Sequence, residues 1–300
     1  MSQGTLLPAQ EIKSVSLRGY RTYRVYLPPS YDRSPKRRYP VLYLHDGQNV
    51  FSSAGTNSCF GWGSWELDRT VDALCATGQM EEVIMVAVDN SRWRYQEYRG
   101  PTAASPARKA AAKKARPVWE PFEEDRFENY ASFLIKELKP RIDHEFRTFT
   151  SAARTAVMGS SMGGICSLAL AWENPKIFGA AASLSGAFQV EKRFFLEKVL
   201  RVYDRKPKRL RIYLDSGTID FTGDDDGRKH SDAVAAELRR IGWKDDVDLK
   251  HFVDLKPLSE SELATTGLRH SKWKEAQSSQ HNEFYWRLRA WRALVFLFPA

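Results

Sequence analysis

The segment Gly159-Ser160-Ser161-Met162-Gly163 has the G-x-S-x-G spacing of a serine nucleophile. An apolar run at 154–161 leads into it and a helical pattern at 161–172 follows, which is the strand–turn–helix context that this spacing requires. The helix N-terminus directs unpaired N–H groups and partial positive charge toward a developing oxyanion. We predict Ser161 as the nucleophile, and the alternative is a glycine-rich turn that packs a helix on a sheet.

A serine nucleophile needs a base, and the base needs an acid that orients it. Where this turn occurs, the acid and then the histidine follow the serine along the chain. The chain has six histidines: His45, His144, His230, His251, His270 and His281. Two of them, His270 and His281, lie beyond the last predicted strand. We favour His281 because it directly precedes the helical pattern 283–298, which can fix its position.

The acid is expected in the turn after the apolar run 209–217, between the serine and the histidine. The aspartates of this region are Asp215, Asp220, Asp224, Asp225 and Asp226. We predict Asp220, which is placed to point into the site, with Asp224 as the alternative. The run 224–226 precedes Gly227 and is typical of a solvated charged turn. Its spacing does not fit an EF-hand calcium loop.

Stabilising a tetrahedral oxyanion takes hydrogen-bond donors. The N–H of Met162, directly after the nucleophile, is one candidate, and the N–H of Gln48, in the loop after the run 40–47, is the other. Aromatic and charged side chains near the expected site are candidates for substrate contact, with packing, capping or surface exposure as the alternative. These candidates are Asp46, Trp62, Trp93 and Arg94.

Short apolar runs alternate with helical patterns along the chain. The runs are 40–47, 81–90, 154–161, 180–188, 209–217 and 247–255, and the helical patterns are 65–76, 127–146, 161–172, 228–242 and 283–298. Nearly continuous apolar runs favour strands covered on both faces, and their alternation with helices favours a mostly parallel sheet. A hairpin predicted from 12–19 and 20–28 adds an antiparallel edge. We predict one α/β domain over residues 1–300.

Composition and charge exclude several classes of protein. Hydrophobic residues make up 42% and charged residues 28% of the chain, which excludes a disordered protein or a coiled-coil rod.

The segment 101–116 has five basic residues and no acid, and removing it lowers the net charge from +9 to +4. This localised charge predicts a solvated insert at 101–121 rather than a nucleic-acid-binding surface; the alternative is a patch that steers an anionic substrate or surface. We predict no membrane span, no metal site and a cytoplasmic protein, since no apolar segment or leader is apparent and the three cysteines are scattered.

Several stretches together resemble one family of enzymes. They are 23–32, 38–51, 86–90, 97–98, 159–164, 215–220 and 281–286. In this order they resemble the Putative esterase family of α/β-hydrolases, which includes feruloyl and acetyl-xylan esterases, siderophore esterases, S-formylglutathione hydrolase and mycolyltransferases. The resemblance implies an α/β-hydrolase fold, a triad of Ser161, Asp220 and His281, and the Gln48 and Met162 donors.

The same resemblance implies a serine esterase that forms an acyl-enzyme and needs no cofactor. Its substrate would be a small-molecule or carbohydrate-linked ester. An acyltransferase with the same triad and a non-enzymatic binding protein are the alternatives. The insert and a long loop at 256–280 depart from the family pattern, and both are expected near the mouth of the site.

Overall fold

The computed structural model describes residues 3–103, 125–205 and 208–300, so almost all of the predicted basic insert lies outside the described residues. Nine strands in these ranges form one sheet. Their bounds are β1 Thr5–Leu6, β2 Gln10–Ser14, β3 Gly19–Leu27, β4 Val41–Leu44, β5 Ile84–Val88, β6 Thr155–Ser160, β7 Ala180–Leu184, β8 Arg211–Ser216 and β9 Leu249–Val253.

The sheet order is β1-β3-β5-β4-β6-β7-β8-β9, and β2 pairs with β3. Strands β4 to β9 run parallel to one another, while β3 is antiparallel to β1, β2 and β5. The predicted α/β class, the mostly parallel sheet and the antiparallel opening hairpin are confirmed.

Helices connect the strands and cover the sheet. The α-helices are α1 Ser58–Gly61, α2 Leu67–Ala76, α3 Arg94–Tyr98, α4 Arg126–Phe133, α5 Lys139–Glu145, α6 Met162–Glu173, α7 Val190–Phe195, α8 Arg228–Ile241, α9 Glu260–Leu263, α10 Trp273–Ser278 and α11 Glu283–Leu297. A π-helical turn, Leu134–Leu138, joins α4 to α5, and another, Leu196–Leu200, continues α7. No helix within the described ranges combines the length and apolar character needed to cross a bilayer.

Two apolar cores lie on opposite faces of the sheet, because successive strand side chains point to opposite sides. In β6, Val157 joins the core that includes α6 and α8, whereas Met158 joins the core that includes α2 and α11. Every residue of β4, β5, β6 and β7 is buried. Burial on both faces explains why these strands have continuous apolar runs in place of an alternating pattern.

The region 256–280, predicted as a long loop, contains helices and its own small core. Helices α9 and α10 lie in it, and Leu263, Leu268 and Ala276 pack against Phe284 and Tyr285 of α11. A capping box at Ser259, in which its side chain and that of Glu262 bond each other's backbone N–H groups, begins α9. The stretch before His281 is therefore anchored to the helix that follows it.

Candidate active site

Ser161 lies on a sharp turn between β6 and α6, at the carboxyl edge of the sheet. Its φ of 53° and ψ of −120° are far from the helical and extended regions. The turn fits here because a Cβ on Gly159 would lie 2.7 Å from the backbone of Gly163. We call residues Gly159–Gly164 the nucleophile elbow. It presents the Ser161 side chain at the start of α6.

His281 lies within hydrogen-bond distance of this serine. Its Nε2 is 3.0 Å from the Oγ of Ser161, across 120 residues of sequence. The Trp286 ring packs edge-on against the imidazole, with ring centroids 5.1 Å apart. Asn282 follows His281 as the N-cap of α11, and its side chain accepts a hydrogen bond from the N–H of Tyr285. The cap and the stacked ring hold the histidine at the beginning of the helix.

The carboxylate that bonds the histidine is Asp226, and not the predicted Asp220 or its alternative Asp224. The Oδ1 of Asp226 is 2.6 Å from the Nδ1 of His281, and Asp226 is 1% exposed. Asp220 instead accepts hydrogen bonds from the N–H and hydroxyl of Thr222 and the N–H of Asp224. Asp220 thus closes a turn within its own loop, Gly217–Gly227, which we call the acid loop.

A second layer of polar groups holds Asp226. Its Oδ2 accepts hydrogen bonds from the hydroxyl of Ser185 at 2.6 Å and from the N–H of Gly217 at 2.5 Å. The Ser185 hydroxyl in turn accepts hydrogen bonds from the Trp286 indole at 3.0 Å and from the Arg289 guanidinium. Burial alone would raise the pKa of Asp226, but the hydrogen bond and charge of His281 and the charge of Arg289 outweigh it and lower that pKa. The carboxylate beside the histidine is therefore ionised.

Arg289 bridges two buried carboxylates behind the site. Its Nε lies 3.0 Å from Asp215, and its Nη2 lies 3.6 Å from Asp226. Burial raises the pKa of Asp215 to about 6, with Asp226 adding to the rise and Arg289 opposing it. A buried arginine between two aspartates keeps their combined negative charge from being left uncompensated.

One predicted oxyanion donor lies within the elbow, and the other lies in the loop that follows β4. Met162 is the first residue of α6, where a backbone N–H has no acceptor within the helix. Gln48 lies in a 3-10 turn, Gly47–Asn49, directly after β4, and its side chain accepts the N–H of Asn90. A Cβ on Gly163 would lie 3.2 Å from the Cβ of His45, which places the β4 loop directly against the elbow.

A cavity of about 640 Å³ opens in front of Ser161 and His281. Its lining includes Asp46, Trp62 and Arg94 from the predicted substrate-contact residues. Trp93 lies outside this lining as the described residues form it, and the guanidinium of Arg126 stacks on its ring at 3.7 Å. The cavity size is that of a small-molecule site.

Two acidic side chains line this cavity. Arg94 binds Asp46 through two hydrogen bonds of 2.6 and 2.7 Å, and Asn90 donates a third to the same carboxylate. The second acid, Glu283, begins α11 and has no such arginine. Burial raises the pKa of Glu283, although its own backbone N–H and the Cys59 thiol donate to it. Arg94 is therefore already ion-paired when a substrate arrives, whereas Glu283 forms no ion pair within the described ranges.

The sequence analysis did not identify Ser185, Asp226, Glu283 or Arg289 as site residues. For one of them, Arg289, the sequence contained a signal of a buried charged group. Arg289 lies on the apolar face of α11, between Trp286 and Leu294, and a buried arginine needs an acidic partner. That pattern pointed to a buried carboxylate elsewhere in the chain, but not to Asp226 in particular. For Ser185 and Glu283 the sequence held no signal of comparable strength.

Comparison with known proteins adds independent information. A family model described as Putative esterase matches residues 14–293. The ferri-bacillibactin esterase BesA of Bacillus subtilis is 25% identical over 198 residues, which cover 66% of this chain and 65% of BesA. The uncharacterized protein YbbA of the same organism is 21% identical over 207 residues, covering 67% of this chain and 69% of YbbA.

Solved structures of esterases have the same fold. A ferulic acid esterase superposes with a TM-score of 0.66 at 19% identity, covering 99% of this chain and 98% of that one. The enterobactin esterase of Shigella flexneri, in the presence of enterobactin, gives a TM-score of 0.65 at 19% identity. This alignment covers 97% of this chain and 58% of the enterobactin esterase. The likeness to both shows that the fold is that of the α/β-hydrolases.

Proposed function

This chain belongs to the Putative esterase family, and we propose that it hydrolyses carboxylic esters through Ser161, His281 and Asp226 with an acyl-enzyme intermediate. The predicted family, fold and enzyme class are confirmed by the family match and the esterase neighbours. The observation that carries the mechanism is the continuous hydrogen-bonded chain from the serine hydroxyl through the imidazole to a buried carboxylate.

The ionised Asp226 fixes which nitrogen of the histidine carries a proton. A carboxylate can only accept, so the Nδ1 of His281 donates to it and the Nε2 is left with a lone pair toward Ser161. The Nε2 then takes the hydroxyl proton as the Ser161 oxygen attacks the ester carbonyl. Asp226 stabilises the imidazolium that forms without itself becoming protonated.

Two steps complete the reaction. The tetrahedral oxyanion accepts hydrogen bonds from the N–H groups of Met162 and Gln48, each worth about 3 kcal/mol of transition-state stabilisation. The intermediate collapses as the carbon–oxygen bond to the alcohol breaks, and the imidazolium gives its proton to that alcohol. Water, deprotonated by the same histidine, then attacks the acyl-serine. The imidazolium returns that proton to the Ser161 oxygen as the acid leaves, which restores the free enzyme.

The test is hydrolysis of 4-nitrophenyl esters from acetate to decanoate, together with a ferulate ester, by the wild type and Ser161→Ala. We expect Ser161→Ala to lower kcat/KM by about 10⁴-fold or more. Ser151→Ala is the matched control, because Ser151 is exposed just before the opposite end of β6 and is expected to retain wild-type activity.

A fluorophosphonate probe locates the nucleophile independently. We expect it to label Ser161 in the wild type and to leave Ser161→Ala unlabelled. Activity that survives in Ser161→Ala, or labelling of Ser160, would assign the nucleophile elsewhere. Wild-type protein that hydrolyses none of these esters and takes up no label would refute the proposed mechanism.

A further inference from the structure

The charged groups of the active-site cavity are unequally paired. Asp46 and Arg94 neutralise each other through their two hydrogen bonds. Glu283 contributes a carboxylate to the same lining, and within the described ranges no lysine or arginine lies within 4.0 Å of it. Its hydrogen-bond donors are its own backbone N–H and the Cys59 thiol, both uncharged, while the charge of Arg94 acts on it from beyond ion-pair distance. The described lining therefore holds two carboxylates, Asp46 and Glu283, and one guanidinium, which is bonded to Asp46.

The basic side chains nearest the rim are already engaged with acids. Lys272 lies 2.9 Å from Glu275, and Arg287 lies 2.9 Å from Glu66. None of these four residues belongs to the described lining of the cavity. An anionic substrate would have to displace one of these ion pairs, whereas a cationic substrate finds in Glu283 a carboxylate that forms no ion pair within the described ranges.

Burial raises the pKa of Glu283, and its position on α11 opposes that rise. It is the first residue of the fifteen-residue helix α11, where the helix dipole stabilises a negative charge. Asn282 caps the helix between them, and Glu283 follows His281 by only two positions. A carboxylate fixed there can contact a group attached to an ester that lies over Ser161.

The remaining walls of the cavity suit the same type of ligand. Aromatic side chains make up much of the lining, namely Phe60, Trp62, Trp65 and Trp286. Aromatic faces attract cations, and Trp62 already holds the Nζ of Lys272 at 4.8 Å from its ring centroid. A carboxylate beside several aromatic rings is the combination that recognises an alkylammonium group.

We propose that Glu283 makes this cavity selective for esters that carry a positively charged ammonium group, and that it disfavours anionic esters. This inference rests on the proposed esterase function of the same site. It names a substrate class, and Glu283 acts in it as a determinant of specificity without a part in the proton transfers.

The test compares esters that differ only in charge. Butyrylcholine and 3,3-dimethylbutyl butyrate have nearly the same shape, and only the first is cationic. We expect the wild type to prefer butyrylcholine by about tenfold in kcat/KM. In Glu283→Gln the preference should fall to about twofold. A tenfold ratio corresponds to about 1.4 kcal/mol, which is reasonable for one partly buried charge contact.

Glu275→Gln is the matched control, because it removes a carboxylate of the same kind outside the lining. It should keep the wild-type preference. Equal preference in the wild type and Glu283→Gln, or a wild-type preference for the neutral ester, would overturn the inference while leaving the esterase mechanism intact. Loss of activity toward both esters in Glu283→Gln would assign that residue a different role and would also overturn it.

A binding measurement separates this inference from catalysis. Benzyltrimethylammonium is titrated into Ser161→Ala and into the double variant Ser161→Ala/Glu283→Gln, and tryptophan fluorescence reports binding. We expect the double variant to bind about tenfold more weakly. Equal affinity, or no binding at millimolar concentration by Ser161→Ala, would overturn the inference whether or not any ester is hydrolysed.

Discussion

The nucleophile elbow and the acid loop hold their proposed catalytic side chains in different ways. Around Ser161, contacts within the turn restrict the backbone: a Cβ on Gly159 would meet Gly163, and the N–H of Gly164 bonds the carbonyl of Ser161. The N–H of Ser161 also bonds the carbonyl of Leu184 on the neighbouring strand. Around Asp226, the bonds come from distant parts of the chain, 41 residues away at Ser185 and 55 residues away at His281.

This difference shows how each region is specified. The elbow needs glycine at defined spacings. A Cβ on Gly159 would meet the backbone of Gly163 in the same turn, whereas a Cβ on Gly164 would meet Ser183 on the neighbouring strand. The acid loop needs only that one of its aspartates reaches the histidine, and the sheet and α11 decide which one does. Asp226 has a φ of 55°, a left-handed conformation that aspartate tolerates better than most residues and that precedes a left-handed Gly227.

The largest expected effect tests the acid loop. Replacing Asp226 with asparagine presents an amide to the Nδ1 of His281 and allows the wrong tautomer, so kcat should fall by about 10³ to 10⁴-fold. Asp220→Asn keeps an oxygen that can accept from Thr222 and should change kcat by less than about twofold. Steady-state hydrolysis of a 4-nitrophenyl ester measures both. A larger loss in Asp220→Asn than in Asp226→Asn would return the acid to the position that the sequence favoured.

The second prediction tests the elbow as a local structure. In Gly159→Ala the added methyl would lie 2.7 Å from the backbone of Gly163, so we expect the free energy of unfolding to fall by about 3 to 4 kcal/mol. Gly19→Ala is the control, since its nearest neighbour would be a carbonyl at 3.9 Å and its effect should stay within about 1 kcal/mol. Urea unfolding measures both, and equal losses would mean that the elbow tolerates a side chain.

The third prediction separates the two regions by pH. His45 packs against the elbow, is 4% exposed and bonds the hydroxyl of Tyr130 at 2.9 Å. Burial lowers the pKa of His45 to about 4, with Arg94 lowering it further and Asp46 opposing both. Because this pKa is lower in the folded protein, the unfolded chain binds the proton at a higher pH than the folded protein does as the pH falls. The stability that neutral His45 contributes is present above about pH 6.5 and is lost as the pH falls to about 4.

This loss should amount to about 3 kcal/mol between pH 7 and pH 4, and His45→Gln should remove most of that slope. The lowered pKa of Asp226 has the same sign, but its loss begins only below the usual aspartate range of about 3.9. As the pH falls, the stabilising contribution of His45 beside the elbow is therefore lost before that of Asp226 in the acid loop. Denaturant unfolding from pH 7 to pH 4 measures the slope, with exposed His144→Gln as the control expected to retain it. An unchanged slope in His45→Gln would contradict the assignment.

Part of the site follows from local sequence. The glycines around Ser161 restrict the turn to a strand-to-helix elbow, and the apolar runs define strands buried on both faces of a parallel sheet. His281 could be selected because it directly precedes a helix after the last strand. These features depend on residues near one another in the chain, where sterics and hydrophobic periodicity act directly.

The tertiary structure alone decided the rest. The acid loop offers several aspartates of the same chemistry, and Asp226 was selected by Ser185 and His281, which come from two other segments, together with Gly217 at the start of the loop itself. Likewise, Arg94 is neutralised by Asp46 and Glu283 is left unpaired only because α3, α11 and the β4 loop meet at one cavity. Charge pairing depends on distances between segments far apart in sequence, and those distances exist only once the sheet has brought its carboxyl ends together.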